Sequence, residues 1–182
     1  MKAAAFVVAT GVLAWISRAS LRAPRSHGFC RFFAWEAILA LFLLNMDHWF
    51  RDPLAWHQII AWTLLCASLA PLVSGIHALR TRGRPTARRA DDSSLLAFER
   101  TTTLVTSGIY RYIRHPLYSA LLLLAWGIFF KLPSLPGLAL AVIATVFLRL
   151  TAKADEDECV RYFGAPYQAY MKKTKRFIPF VY

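Results

Sequence analysis

Residues 54–79 form a run of 26 positions without a single Asp, Glu, Lys or Arg. A stretch of that length and character can cross a bilayer as one helix, which constrains the rest of the chain more than any other feature. Four further apolar runs occupy residues 3–16, 32–46 (with Trp49 and Phe50 at its edge), 117–130 and 135–148. Fourteen residues rise only about 21 Å as a helix against roughly 30 Å of hydrocarbon, so the short runs must recruit flanking residues or thin the bilayer. The last two runs are joined by Lys131, Leu132, Pro133 and Ser134 alone, which predicts a tight helical hairpin. With 57% hydrophobic residues and a mean hydropathy of +0.41, the chain is too apolar for a soluble domain of its size.

The formal charge of +12 does not imply nucleic acid, because the cations are confined to connections between apolar runs. Four arginines (Arg18, Arg22, Arg25, Arg31) follow the first run, eight lie in residues 80–114, and seven Lys or Arg follow from Arg149. The alternate connections hold only Lys2, Arg51 and Lys131, so five spans place nineteen positive charges on one face and three on the other. Such asymmetry marks the cytoplasmic side. The expected architecture is therefore all-α and polytopic, with about five transmembrane helices and a cytosolic C-terminal helical segment. The N-terminus is outside and the C-terminus inside, in the inner membrane if the cell is bacterial. Residues 1–79 supply three helices, and residues 80–182 supply the cytosolic loop, the helical hairpin and the C-terminal tail. Reading residues 3–16 as a cleaved signal peptide would leave the cluster from Arg22 to Arg31 outside, against the charge rule.

Residues 80–107 contain Gly83, Pro85, Asp91, Asp92, Ser93 and Ser94, too polar and broken for a span. After the fifth run, residues 155–162 can continue as a polar helix until Gly164 stops it, and Pro166 opens a short helix carrying Tyr167, Tyr170 and Met171. Glu36 and Asn45, within the second run, should face the bundle. Cys30, Cys66 and Cys159 are widely spaced and the five histidines lack HxxxH or HExxH pairing, so neither a disulfide framework nor a metal centre is expected.

Two polar clusters abut apolar helices on the cytoplasmic side: TLVTSGIYRYIRHPLY, residues 103–118, and RLTAKADEDECVRYFG, residues 149–164. The hairpin brings the start of the fourth span beside the end of the fifth, so Tyr110, His115 and Tyr118 can face Asp155 and Glu156. Pro116 suits a first helical turn and leaves free backbone groups there for a ligand.

The segment GIYRYIRHPLY, the acidic pair Asp155 and Glu156 before Phe163-Gly164, and the closing PYQAYMKKTKRFIP resemble the isoprenylcysteine carboxyl methyltransferases and their bacterial and archaeal relatives, over roughly residues 102–181. The resemblance implies S-adenosylmethionine as cofactor. It implies contacts from Thr102, Thr103, Leu104, Val105, Tyr110, His115, Pro116, Leu117, Tyr118 and an acidic residue matching Asp155. Asp155 replaces a more common Glu, so Glu156 can share or take its role. The family's substrate arginine aligns with Thr151, and the nearest cations, Arg149 and Lys153, are the candidates for neutralising an acceptor carboxylate. Methyl transfer to a carboxylate or thiolate needs no general base, whereas an amine would, with His115 the first candidate. The expected acceptor is amphiphilic or lipid-like, most simply a carboxylate of the isoprenylcysteine type, with phospholipid amines and thiols as alternatives. An NADPH-dependent membrane reductase of the sterol reductase kind is a competing reading, against which the His115-Pro116-Leu117-Tyr118 motif weighs.

Overall fold

A computed structural model describes residues 1–84 and 99–180. Pro85, Asp91, Asp92, Ser93 and Ser94 lie outside the described residues. The described chain is helical, with α1 (Lys2–Ile16), α2 (Arg18–Leu21), α3 (His27–Asn45), α4 (Trp56–Arg82), α5 (Pro116–Phe129), α6 (Leu135–Phe163) and α7 (Ala165–Lys173). A lone parallel bridge joins Ile113 to Lys175. Each apolar run falls within or largely overlaps one of these helices. Three segments, His27–His48, Trp56–Arg82 and Leu135–Phe163, are long and apolar enough to cross a membrane, while Lys2–Ile16 and Pro116–Phe129 are shorter. By length and composition, three of the five expected spans qualify among the described residues.

Local chemistry sets the helix boundaries. Ser26 caps α3 by accepting the Phe29 N–H at 3.2 Å, and Ser134 caps α6 by accepting from Gly137 at 3.2 Å. Pro116 opens α5, and Pro166 sits in the first turn of α7. Between α6 and α7, Gly164 adopts φ 65 and ψ −139, a conformation costly for any residue with a Cβ.

The α5–α6 hairpin forms as expected, but its two helices pack mainly on different partners, α6 along α3 and α5 along α4. Small residues permit this close packing. A Cβ on Gly127 would lie 2.9 Å from Leu65 Cγ, and one on Gly75 would lie 3.1 Å from Leu117 Cδ2. Ala37, Ile38 and Leu41 of α3 meet Ala125, Ile128 and Phe129 of α5 and Ala141 and Ala144 of α6 in the main apolar core. Outward-facing Val7, Val8, Trp15, Ile59, Val73 and Val146 are exposed, as expected for surfaces that meet lipid.

At the hairpin turn, carbonyls freed at the end of α5 are taken by side chains. Asn45 Nδ2 donates to Ile128 O at 2.8 Å, and the His57 ring pairs with Phe130 O at 3.1 Å. Lys131 is fully buried rather than an exposed loop cation. Its Nζ donates to Gln58 Oε1 at 3.0 Å and to Trp49 O at 3.2 Å, and lies 3.4 Å from the Trp62 ring centroid. Glu36 is half-buried and accepts from Thr10 Oγ1 at 2.7 Å, tying α1 to α3.

Candidate active site

At the opposite end of the hairpin, α6 continues past its apolar part and carries acidic residues to the start of α5. Leu148, Thr151, Ala152, Glu156 and Glu158 are buried, while Arg149, Lys153 and Asp157 are exposed, the alternation expected where one face of a helix is covered. Asp155 Oδ2 accepts from the Tyr118 hydroxyl at 3.2 Å and lies 3.5 Å from His115 Nδ1. The other imidazole nitrogen, Nε2, is 3.2 Å from Glu156 Oε1. The His115 ring stacks on Tyr118 with centroids 5.3 Å apart.

Glu156 is occupied by structure. It accepts from Arg114 Nε at 2.9 Å, Arg176 Nε at 3.1 Å and Arg176 Nη2 at 2.6 Å. Arg114 also donates to the Thr174 carbonyl. The C-terminal segment is held against the residues leading into α5 by backbone bonds from Arg114 N to Lys175 O at 2.8 Å and His115 N to Arg176 O at 3.1 Å. Ser119 Oγ completes the clamp by donating to Phe177 O at 2.9 Å. The RFIP motif thus fixes the backbone on which His115 and Tyr118 are mounted.

These elements line a cavity of about 100 Å³, open at its mouth. Leu104, Val105, Tyr110, His115, Pro116, Leu117, Tyr118 and Asp155 all line it. Thr102 and Thr103 do not. Their amides both bond Gly83 O, and Thr101, one residue earlier, faces the cavity instead. Glu156 is also absent from the lining, its carboxylate being turned toward Arg114 and Arg176. Arg149 is likewise outside it, because six residues of helix before Asp155 place it on another face. The expected substrate contact from Arg149, and a catalytic or cofactor contact from Glu156, therefore do not fit this geometry.

The cavity also draws on residues that sequence reasoning missed, among them His27, Glu99, Cys159, Tyr167 and Tyr170. Tyr170 donates to Tyr110 O at 2.6 Å, holding α7 over the site. Burial pushes the Tyr110 phenol well above its usual range and also raises Tyr167 and Tyr170, so these phenols stay protonated. For His115, burial opposes the charged form, but hydrogen bonds to Asp155 and Glu156 outweigh it and raise the imidazole above its ordinary value. His27, Asp155 and Glu158 each place a ligand-type atom within 4.8 Å of one another. Because His27 comes from α3 and Asp155 and Glu158 from α6, no spacing motif could have announced this group.

Residues 56–165 match the family model for phospholipid methyltransferase. The chain belongs to the phospholipid methyltransferase family. It is 28% identical over 76 residues to the methanethiol S-methyltransferase of Crocosphaera subtropica, covering 42% of this chain and 29% of that protein. It is 32% identical over 82 residues to the protein-S-isoprenylcysteine O-methyltransferase of Homo sapiens, covering 44% of this chain and 29% of that one. The Schizosaccharomyces pombe enzyme of the same name is 33% identical over 79 residues, or 43% of this chain and 34% of the relative. The aligned stretches thus span about a third or less of these relatives. Family membership and the apolar helices agree in describing an integral membrane protein, and they do not favour the reductase reading.

Proposed function

We propose that the chain is an S-adenosylmethionine-dependent methyltransferase that acts in the membrane on a hydrophobic, lipid-like acceptor. The observation that carries this reading is the convergence of His115, Tyr118 and Asp155 on one cavity at the polar end of α5 and α6. The lining suits the cofactor's chemistry. Asp155 offers an anionic acceptor to an ammonium or to ribose hydroxyls, Tyr110, Tyr118 and Tyr167 offer aromatic surface to a cationic sulfonium, and Leu104, Val105 and Leu117 offer apolar surface to a base. When bound, S-adenosylmethionine supplies an electrophilic methyl group on a positively charged sulfur.

What the protein contributes is orientation and exclusion of water. An in-line displacement gains most from holding donor and acceptor at reactive distance, and no covalent intermediate on the chain is needed. Tyr118 and His115 grip Asp155 from two sides and fix the direction of its carboxylate. Glu156, through Arg114 and Arg176, locks the RFIP segment behind them. The tyrosines of α7 cover the other side.

The acceptor reaches the site from the bilayer in this reading. A second, mostly apolar groove lined by Trp35, Leu72, Ile76 and Leu121 shares Glu99, Leu117 and Tyr118 with the main cavity. A carboxylate of the isoprenylcysteine type is the simplest acceptor from the resemblance, yet Arg149 and Lys153 do not line the cavity, so its neutralisation lacks the cation assigned to it. The charge asymmetry supports an external N-terminus and a cytoplasmic C-terminus and active site, in the inner membrane if the cell is bacterial. Residues 80–182 supply most of the proposed catalytic module, with His27 and Leu79 added from the preceding helices. Incubating membranes containing the protein with methyl-tritiated S-adenosylmethionine tests the function. The expected result is label in an organic-extractable product, and a donor consumed only as in empty membranes would contradict it.

A further inference from the structure

His27 stands at the first turn of α3, outside the segment that matches the family, and is 1% exposed. Its position is built rather than incidental. The backbone N–H of His27 donates to Glu158 Oε1 at 2.8 Å, and its Nδ1 lies 2.6 Å from Glu158 Oε2. One carboxylate therefore grips both the main chain and the ring, fixing the imidazole's orientation and favouring the tautomer with its proton on Nδ1. Nε2 then carries the lone pair. It points toward Glu99, 4.0 Å away, whose carboxylate is itself held by Arg31 Nη1 at 2.8 and 3.0 Å. His27 and Glu99 both line the main cavity, and Glu99 also lines the apolar groove.

A histidine aimed by a buried carboxylate, lining the main cavity with its second nitrogen 4.0 Å from the Glu99 that also lines the apolar groove, has the geometry of a general base. We propose that His27 removes the proton from the acceptor, with Glu158 as its positioning residue, and that the acceptor's nucleophile is proton-bearing, a thiol or an amine on a hydrophobic chain, rather than a carboxylate. This rests on the methyl-transfer reading above. With a thiol, sulfur's lone pair forms the new S–CH3 bond while the donor's C–S bond breaks and its electron pair stays on the donor sulfur. The thiol proton passes to His27 Nε2. With an alkylammonium, one proton goes to Nε2 to free the nitrogen lone pair before the same displacement. Each turnover ends with an imidazolium paired to Glu158, which returns its proton to water. Glu158, Asp155 and Glu99 face the ring and favour its protonated form, and the cationic donor in the same cavity opposes them. His115 is less suited to this task, since its nitrogens lie 3.5 Å from Asp155 and 3.2 Å from Glu156, whereas Nε2 of His27 stands 4.0 Å from the nearest oxygen of Glu99.

The test uses the full-length protein in detergent with His27→Gln and Glu158→Gln. The acceptor probes are 1-dodecanethiol, dodecylamine and N-acetyl-S-farnesylcysteine, and calorimetry with S-adenosylmethionine runs in parallel. His27→Gln should bind the donor within about twofold of wild type yet lose about 100-fold or more in methylation of the thiol or amine near neutral pH. For the thiol, the loss should shrink at alkaline pH, where the probe ionises unaided. Glu158→Gln should lose less activity, and nitrogen-15 NMR of the histidines should show the Nδ1–H tautomer of His27 weakened. If His27→Gln fails to fold, Glu158→Gln carries the test, and an unchanged rate together with an unchanged tautomer overturns the proposal. It is also overturned if His27→Gln methylates the dodecyl probes at the wild-type rate, or if the wild type binds the donor and methylates only the farnesylcysteine carboxylate. Loss of wild-type activity to a chelator, with recovery on adding zinc, would make His27 a metal ligand and equally overturn it. A wild type that binds no S-adenosylmethionine at all would instead sink the underlying function.

Discussion

Nδ1 of His115 lies 3.5 Å from Asp155 Oδ2 while its Nε2 lies 3.2 Å from Glu156 Oε1, so one imidazole spans two consecutive acidic residues that serve different ends. Asp155 turns into the cavity, and Glu156 turns to Arg114 and Arg176. Neutralising Glu156 should therefore act first on stability. Glu156 is 3% exposed, and removing one partner from a buried ionic network costs roughly 3 to 5 kcal/mol. Glu156→Gln is expected to lower the thermal midpoint in detergent markedly, and an unchanged midpoint would show that the C-terminal clamp does not depend on it.

The same histidine gives stability a pH dependence. Its imidazole titrates higher in the fold than in the unfolded chain, despite burial, because Asp155 and Glu156 hold the proton. Its stabilising contribution is complete below the ordinary imidazole value of about 6.5 and fades as pH rises through the raised value. Thermal midpoints measured from about pH 6 to about pH 9 should thus fall more steeply for wild type than for His115→Gln. Parallel curves would mean that His115 carries no such linkage.

Gly164 tests the α6–α7 turn. No atom would lie within 4 Å of an added Cβ, so the cost of Gly164→Ala is the backbone conformation itself, about 1 to 3 kcal/mol. Relief of that strain would displace Tyr167 and Tyr170, so both thermal midpoint and donor affinity should fall. Neither falling would detach the turn from the site.

Much of this arrangement is legible in residue order because it depends on local chemistry. Hydropathy marks the five apolar helices, Gly164 and Pro166 mark the turn, and the four-residue link makes the hairpin that sets Tyr118 against Asp155. What is not legible depends on helix phase and on distant contacts. Arg149 sits close to Asp155 in sequence, yet a helical offset of six residues turns it to the outer face. The separation of 131 positions from His27 to Glu158 hides a pair joined only when α3 packs on α6. Lys131 reads as a loop cation because nothing in its own neighbourhood predicts Trp62 and Gln58 closing around it.

The proposed topology rests on the charge count alone and can be tested separately. A reporter fused after Tyr182 should report a cytoplasmic location, and one inserted near Asp52 an external one. A cytoplasmic signal from the Asp52 insertion would contradict the proposed orientation and the placement of the cavity on the inner face.

The central claim is that His115, Tyr118 and Asp155 form an S-adenosylmethionine site, and isothermal calorimetry on the purified protein in detergent tests it most directly. Wild type should bind S-adenosylmethionine and not NADPH. Tyr118→Phe removes the hydroxyl bonded to Asp155 and should weaken binding about tenfold, the equivalent of losing one hydrogen bond to a charged group. Asp155→Asn should weaken it further, while Asp155→Glu, which keeps the carboxylate and lengthens it by one methylene, should retain it. Binding of NADPH in place of S-adenosylmethionine, or affinities that ignore all three substitutions, would contradict the account.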